Sequence, residues 1–292
     1  MLSRVKQFIL EVFSEFSDDD CPTMAAALAY GTIFSLPSLL LIVIFIAGLV
    51  LGPDAASGQI QAQLTKTIGA QAGGQIQTMV HNIALNRRGG IIATILGVIG
   101  LLVSATSVVA QLQQSLNRAW DVTRTGGGIT HVIMQRARSG LLVAGAGVLT
   151  LASLAVGAVI AGVARHIPFP GAAHAGDFIT SIIVFTLIFG AILKIMPDVK
   201  LGWRDVLVGG LFIAVLFEIG KFLIGLYLGH AVKASAYGAA GSLAMILLWT
   251  YYSALVFLLG VEFTQVWVRW RRGRVEAKPG AKITRAAAVG SP

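Results

Sequence analysis

Charge and cysteine are what this chain has least of. Only 12% of its 292 residues are charged while 56% are hydrophobic, and the mean hydropathy is +0.81. A soluble domain carries about 25% charged residues, so an ordinary soluble globule is excluded and an integral membrane protein is implied. The single Cys21 rules out a disulfide framework within one chain and any multi-cysteine metal cluster. Five histidines, His81, His131, His166, His174 and His230, stand singly without ligand spacing, which offers no zinc site. HExxH, GxSxG and phosphate-loop patterns are also missing. So is any soluble segment with the clustered His, Asp and Glu that hold a catalytic metal. These absences predict a chain that is not an enzyme, needs no metal or other cofactor, and has no nucleic-acid partner, since no nucleic-acid-binding fold accompanies its net charge of +9.

What the chain has in abundance is apolar runs of the roughly 20 residues that cross hydrocarbon. They cover residues 24–51, 90–110, 140–164, 178–193, 206–228 and 241–261. Six spans leave both termini on one side. That side carries sixteen basic residues: Arg4 and Lys6; Arg118, Arg124, Arg136 and Arg138; Lys194, Lys200 and Arg204; and seven between Arg269 and Arg285. The other side has five, Lys66, Arg87, Arg88, Arg165 and Lys233, and Lys221 lies inside a span. The positive-inside rule then predicts cytoplasmic termini.

Residues 1–20 do not read as a signal peptide, because Arg4, Lys6, Glu11 and Glu15 interrupt any apolar core. Val5, Phe8, Ile9, Val12, Phe13 and Phe16 instead recur on one helical stripe, which predicts an interfacial amphipathic helix on the cytoplasmic leaflet. A transmembrane domain over residues 22–268 follows. Within it, the outer connection 52–89 repeats Ile60, Leu64, Ile68, Ala72, Ile76, Val80 and Ile83, a second amphipathic pattern that Gly73 and Gly74 divide. The basic tail, 269–292, is expected to be partly disordered and to touch anionic lipid through Arg269, Arg271, Arg272 and Arg274.

Helices in lipid approach closely where side chains are small. Gly31, Gly157, Gly225 and Gly229 each belong to four-residue repeats of small residues and are expected at helix contacts. Pro37 predicts a kink in the first span. On the fifth span Gly210, Ala214, Glu218, Lys221, Gly225 and Gly229 share a face, so opposite charges one turn apart lie among small residues. A charge near a bilayer centre costs about 2.5–3.5 kcal/mol on insertion scales, and at i and i+3 the two can pair. Glu218 and Lys221 are therefore the leading candidates for a substrate or coupling site, with Tyr30, Trp249 and Tyr252 as candidate companions. A salt bridge that only fixes helix register is the alternative. Glu262, after the sixth run, is expected to reach the headgroup region.

Four segments carry a family resemblance. AAALAYGTIFSLPSLLLI at 25–42, LNRAWDV at 116–122, the stretch 203–227 with its FEIGKFLIGLY, and YGAAGSLAMILLWTYYSALVFLLGVEF at 237–263 resemble, in this order, the YihY/BrkB family of bacterial membrane proteins. Among the departures, Gly31 stands where relatives often have a second aromatic, and Asp121 where Gly is usual. The resemblance implies an all-α, six-helix fold in the bacterial inner membrane and an association with envelope function or virulence. It brings no established biochemical activity, and the ribonuclease BN label some relatives have carried is not transferred.

The charged face of the fifth span, with the proline and glycine breaks, predicts transport or translocation of an amphipathic or lipid-like envelope component, with membrane lipids as partners. A non-transporting scaffold for the envelope is the alternative, and an intramembrane acid-base enzyme built on Glu218, Lys221 and tyrosines is a distant third. A homo-oligomer or an envelope-protein partner is left open.

Overall fold

In hydrocarbon every backbone polar group must be satisfied within the chain, so apolar runs of this length fold as helices. The computed structural model describes residues 2–35, 107–124, 172–231, 238–273 and 275–284. The expected outer segment 52–89, the Pro37 kink, the third span with Gly157, Arg274 and the last residues of the tail lie outside the described residues.

In chain order the elements are α1 (Leu2–Asp18), α2 (21–35), α3 (107–119), β1 (Val122–Arg124), α4 (Ala172–Ile195), α5 (Trp203–Ala231), α6 (Gly238–Arg272) and β2 (Ala281–Ile283). Three stretches are long and apolar enough to cross a membrane: Phe178–Ile195 in α4, Trp203–Ile224 in α5 and Ile246–Arg272 in α6. They correspond to the fourth, fifth and sixth runs of the sequence.

α5 packs between its two neighbours, and glycines set both contacts. A Cβ on Gly210 would lie 2.6 Å from the Thr186 carbonyl oxygen and 2.9 Å from the Gly190 nitrogen, so the backbones of α4 and α5 meet there directly. On the α6 side Gly209 lies under Thr264, Gly220 under the Tyr252 ring, and Gly260 under Ile213. Between these contacts Phe217 meets Phe185 and Phe189 of α4 and Trp249 of α6, with ring centroids 5.0, 5.7 and 5.6 Å apart. Large rings and glycines alternate along the interface, and this lets three apolar helices interdigitate closely.

Two tight reversals shape the end of the bundle where α1 and the tail meet. Asp20, between α1 and α2, has φ 55°, and Asp121, between α3 and β1, has φ 50°. Aspartate is among the few non-glycine residues that tolerate this left-handed region. At Asp121 the turn demands this conformation, and Asp can supply it. Pro22 follows at the second position of α2, where its missing N–H has no intrahelical partner to lose.

The described part of the tail is folded back rather than loose. β2 pairs antiparallel with β1 in the register Val122↔Ile283, Thr123↔Lys282 and Arg124↔Ala281. The Thr284 N–H donates to the Asp121 carbonyl at 2.7 Å. Val199, in the α4–α5 connection, bridges to Ala277.

Candidate intramembrane site and its supporting network

Helical spacing brings Glu218 and Lys221 together as expected at one turn. The ammonium lies 2.7 Å from Glu218 Oε1 and 2.6 Å from Oε2, so a single cation engages both oxygens. The two ends differ in environment: the Glu218 side chain is 6% exposed and that of Lys221 36%. A buried carboxylate held by a partly exposed cation can exchange that cation for another polar partner at the exposed side.

The companions arrange themselves differently around α5. Tyr252 donates its hydroxyl to the Leu216 carbonyl at 3.2 Å and lays its ring over Gly220. Gly220 is two residues from Glu218, about 200° round the helix, so Tyr252 belongs to the α6 contact and not to the pair. Trp249 packs edge-on against Phe217, one turn from Lys221. Tyr30 is exposed on α2, where its ring lies 4.9 Å from Phe34. Of the helix-packing candidates, Gly31 makes a close contact: its Cβ would lie 2.7 Å from Gln111 Oε1 on α3. Gly225 and Gly229 continue α5 beyond the pair.

A denser set of polar contacts, which the linear sequence did not suggest, ties the chain ends together. Arg269 bridges Glu11 at 2.8 Å and Glu15 at 2.7 Å, while the Trp270 indole N–H donates to Glu11 Oε2 at 2.7 Å. The stripe of α1 is thereby divided. Phe8 packs edge-on against Phe263 and Trp270, and Val12 is buried, whereas Val5, Ile9 and Phe13 stay exposed. Arg271 and Arg272 lie 3.0 and 2.7 Å from the two oxygens of Asp205, a fully buried carboxylate in the first turn of α5. Three arginines considered as lipid contacts thus have protein carboxylates as partners.

The α4–α5 connection is held in the same way. Asn117 donates to Asp198 Oδ2 at 2.8 Å and accepts from the Asp198 N–H at 2.9 Å. Lys278 from the tail donates to the carbonyls of Ile195 and Pro197, a favourable place for a cation at the end of α4. Lys194 donates to the Leu201 carbonyl and lies 5.7 Å from the centre of the Trp203 ring.

Glu262, expected at the headgroups, is enclosed by protein. It is fully buried, and its Oε1 accepts a hydrogen bond from the Cys21 thiol at 3.5 Å. The reason is packing: α2 enters the bundle at Cys21 and closes over α6 at that level. Burial pushes the Cys21 thiol up, and the nearby Glu262 and Asp19 carboxyls act in the same direction, so the chain's one cysteine is held as a neutral thiol. No signal short of the three-dimensional contact could have joined residues 241 positions apart.

The model of the virulence factor BrkB family matches residues 12–284, nearly the whole chain and as far as the last described residue of the folded-back tail. The chain belongs to this family. It is similar to a UPF0761 membrane protein of Pseudomonas paraeruginosa, 27% identical over 262 residues that cover 84% of the chain and 59% of the relative. UPF0761 membrane proteins of Azotobacter vinelandii and Alkalilimnicola ehrlichii are 28% and 29% identical over 273 residues, covering 89% and 88% of the chain and 64% and 57% of the relatives. The chain thus spans about three fifths of the length of these relatives. No solved structure matches it. With three apolar helices of spanning length and relatives that are membrane proteins, this member of the BrkB family is itself a membrane protein.

Proposed function

We propose that this BrkB-family protein translocates an amphipathic or lipid-like envelope component across the bacterial inner membrane, acting as a six-span transporter with both termini cytoplasmic. The observation that carries the reading is the asymmetry of the charged pair. Glu218 is buried in a membrane-length helix, yet the cation that neutralises it keeps a third of its side chain exposed. A polar headgroup arriving at Lys221 could replace part of its interaction with Glu218 while the tail of the molecule follows the apolar flank of α5, where Leu211, Val215, Ile219 and Phe222 are exposed. On this reading the protein is not an enzyme, and α1 rests on the cytoplasmic leaflet through Val5, Ile9 and Phe13. Arg271 and Arg272, each 40% exposed, keep enough free surface to meet anionic headgroups as well as Asp205.

Reconstitution into liposomes tests this reading. Fluorescent phospholipids placed in one leaflet should equilibrate faster with the protein than without it, and the Glu218→Gln, Lys221→Met double variant should abolish the gain. Movement unaffected by both changes removes the pair from the mechanism.

A scaffold without transport is the second reading, favoured by one observation: both oxygens of Glu218 are already satisfied within the same helix. Cell-envelope function that survives the double variant, together with strong coupling in a double-mutant cycle on stability, would support it.

A further inference from the structure

The folded-back tail makes two antiparallel pairings in succession. Residues 276–278 run beside 198–200: the Lys200 N–H donates to the Glu276 carbonyl and the Lys278 N–H to the Asp198 carbonyl, both at 2.8 Å, on either side of the Val199–Ala277 bridge. Residues 281–284 then run beside 121–124, from the β1–β2 ladder to the Thr284 N–H on the Asp121 carbonyl at 2.7 Å. Between the two pairings the Ala281 N–H donates to the Lys278 carbonyl at 3.1 Å, and Gly280 has φ 85°. Proline followed by a glycine at positive φ makes this a type II turn. The tail therefore changes partner across one four-residue reversal.

The two partners belong to different parts of the bundle. Residues 121–124 follow α3, whereas 198–200 join α4 to α5. Asn117 and Asp198 link these parts by hydrogen bonds of 2.8 and 2.9 Å, and the tail spans them a second time. Its hold is shallow. Val275 and Ala281 pack against the core, but six of the ten residues 275–284 are exposed. The side chains of the Lys200–Glu276 ion pair are 58% and 76% exposed, and a pair so open to solvent adds little. Few buried apolar contacts and exposed backbone hydrogen bonds mark a segment that opens before the helices do.

We propose that residues 275–284 are a strap that opens and closes as one unit across the Pro279–Gly280 turn and, while closed, clamps the segment after α3 to the α4–α5 connection. With the strap closed, α4 and α5 cannot shift against α3 without stretching backbone hydrogen bonds on both sides of the turn. Opening it frees that shift while α4, α5 and α6 keep their glycine contacts. The strap is thus a brake on motion at this end of the bundle, separate from what holds the helices together. It rests on the tail contacts and stands whether or not Glu218 and Lys221 take part in translocation.

Gly280 isolates the turn. A Cβ there would meet nothing within 4 Å, so Gly280→Ala strains the left-handed backbone without creating a clash. That strain corresponds to a change of about 5- to 30-fold in an opening equilibrium. Amide hydrogen exchange of the full chain in lipid nanodiscs measures it. The expected result is a rise of that size at the Lys200 and Lys278 amides and by the same factor at the Thr284 amide, with the amides inside α5 and α6 unchanged. A rise on one side of the turn alone, or on neither, overturns the proposal. Thr123→Cys with Thr284→Cys supplies the opposite perturbation, because the two hydroxyls hydrogen-bond across the ladder and are exposed, whereas Cys21 is buried. Once oxidised to a disulfide, this pair should slow exchange at Lys200 and Lys278, beyond the turn, and a reductant should restore it. Slowing confined to 121–124 and 281–284 would show two independent contacts and no strap. In the liposome assay the oxidised pair should stop lipid movement and the reductant restart it. Movement indifferent to oxidation overturns the brake, whereas a parent protein that moves no lipid counts against translocation and leaves the exchange result to decide the strap.

Discussion

Lys221→Met and Glu218→Gln should be unequal in cost, although each removes one half of the same ion pair. Lys221→Met strands a carboxylate whose side chain is 6% exposed, whereas Glu218→Gln strands an ammonium that is 36% exposed. Breaking a fully buried pair from one side costs about 3–5 kcal/mol, and an exposed pair is worth about 0–1 kcal/mol. Because the Lys221 end is partly open, we expect about 2–3 kcal/mol for Lys221→Met, between these limits. For Glu218→Gln we expect about 1 kcal/mol, since the long lysine stem can carry its charge toward water or headgroups. The double variant removes both charges and should return to within about 1 kcal/mol of the parent, a coupling of about 2 kcal/mol. Reversible unfolding in lipid–detergent bicelles at fixed pH measures all four proteins. Glu218→Gln as harmful as Lys221→Met, or a double variant equal to the sum of the singles, would refute the reasoning from burial.

Gly210→Ala should separate α4 from α5, because its new methyl would meet the Thr186 carbonyl and Gly190 backbone at 2.6 and 2.9 Å and neither can yield as a flexible side chain would. Overpacking of this kind costs about 1–3 kcal/mol, read as a lower unfolding midpoint; an unchanged midpoint counts against the close crossing. The raised Cys21 thiol lets the folded state keep a proton that the unfolded chain releases near its ordinary value of 9.0. Its stabilisation is therefore full below about pH 9 and is lost above it by at most about 1.4 kcal/mol per pH unit. The parent's thermal midpoint should fall more steeply than that of Cys21→Ala between about pH 9 and about pH 10.5, and parallel slopes would contradict the buried thiol. Replacing Arg271 and Arg272 together by Ala leaves the buried Asp205 carboxylate without a partner and should cost about 3 kcal/mol or more. Asp205→Asn frees two partly exposed arginines and should cost less, a ranking that denaturation midpoints check.

The sequence reveals what depends on a local pattern and conceals what depends on distant pairing. The fourth, fifth and sixth runs are visible because membrane length and uninterrupted hydrophobicity are properties of contiguous residues, and Glu218 with Lys221 because a helical turn joins them. The left-handed turn at Asp121, with φ 50°, is compatible with a residue type that tolerates that region, but its residue type alone does not announce the turn. The amphipathic stripe of α1 was readable, but not its division between Phe8 and Val12, which pack inward, and Val5, Ile9 and Phe13, which do not; periodicity does not say how wide a face its neighbour covers. The tail strand left no trace because three residues, Ala281–Ile283, are too short for an alternating pattern and their basic flanks suggested a loose, lipid-facing segment. Tyr252 is a candidate companion of the charged pair from sequence, yet its ring lies over Gly220 on another side of α5, a contact that no local pattern announces.

The two polar regions solve different problems with the same residue types. At Glu218 and Lys221 the partners come from one helix, so the bond survives any movement of α4 or α6 relative to α5. At the other region the partners come from different elements: Arg269 ties α6 to α1, Arg271 and Arg272 tie it to α5, Asn117 ties α3 to the α4–α5 connection, and Lys278 ties the tail to α4. Relative motion of the helices must break these contacts and need not disturb the intramembrane pair. A translocation cycle that opens this end would therefore concentrate its barrier in the arginine and tail contacts while Glu218 and Lys221 travel as a unit on α5. Weakening the ties should then raise transport rate and lower stability together, whereas weakening the pair should lower transport. Opposite signs for these two classes of variant in one liposome assay would separate the gate from the site.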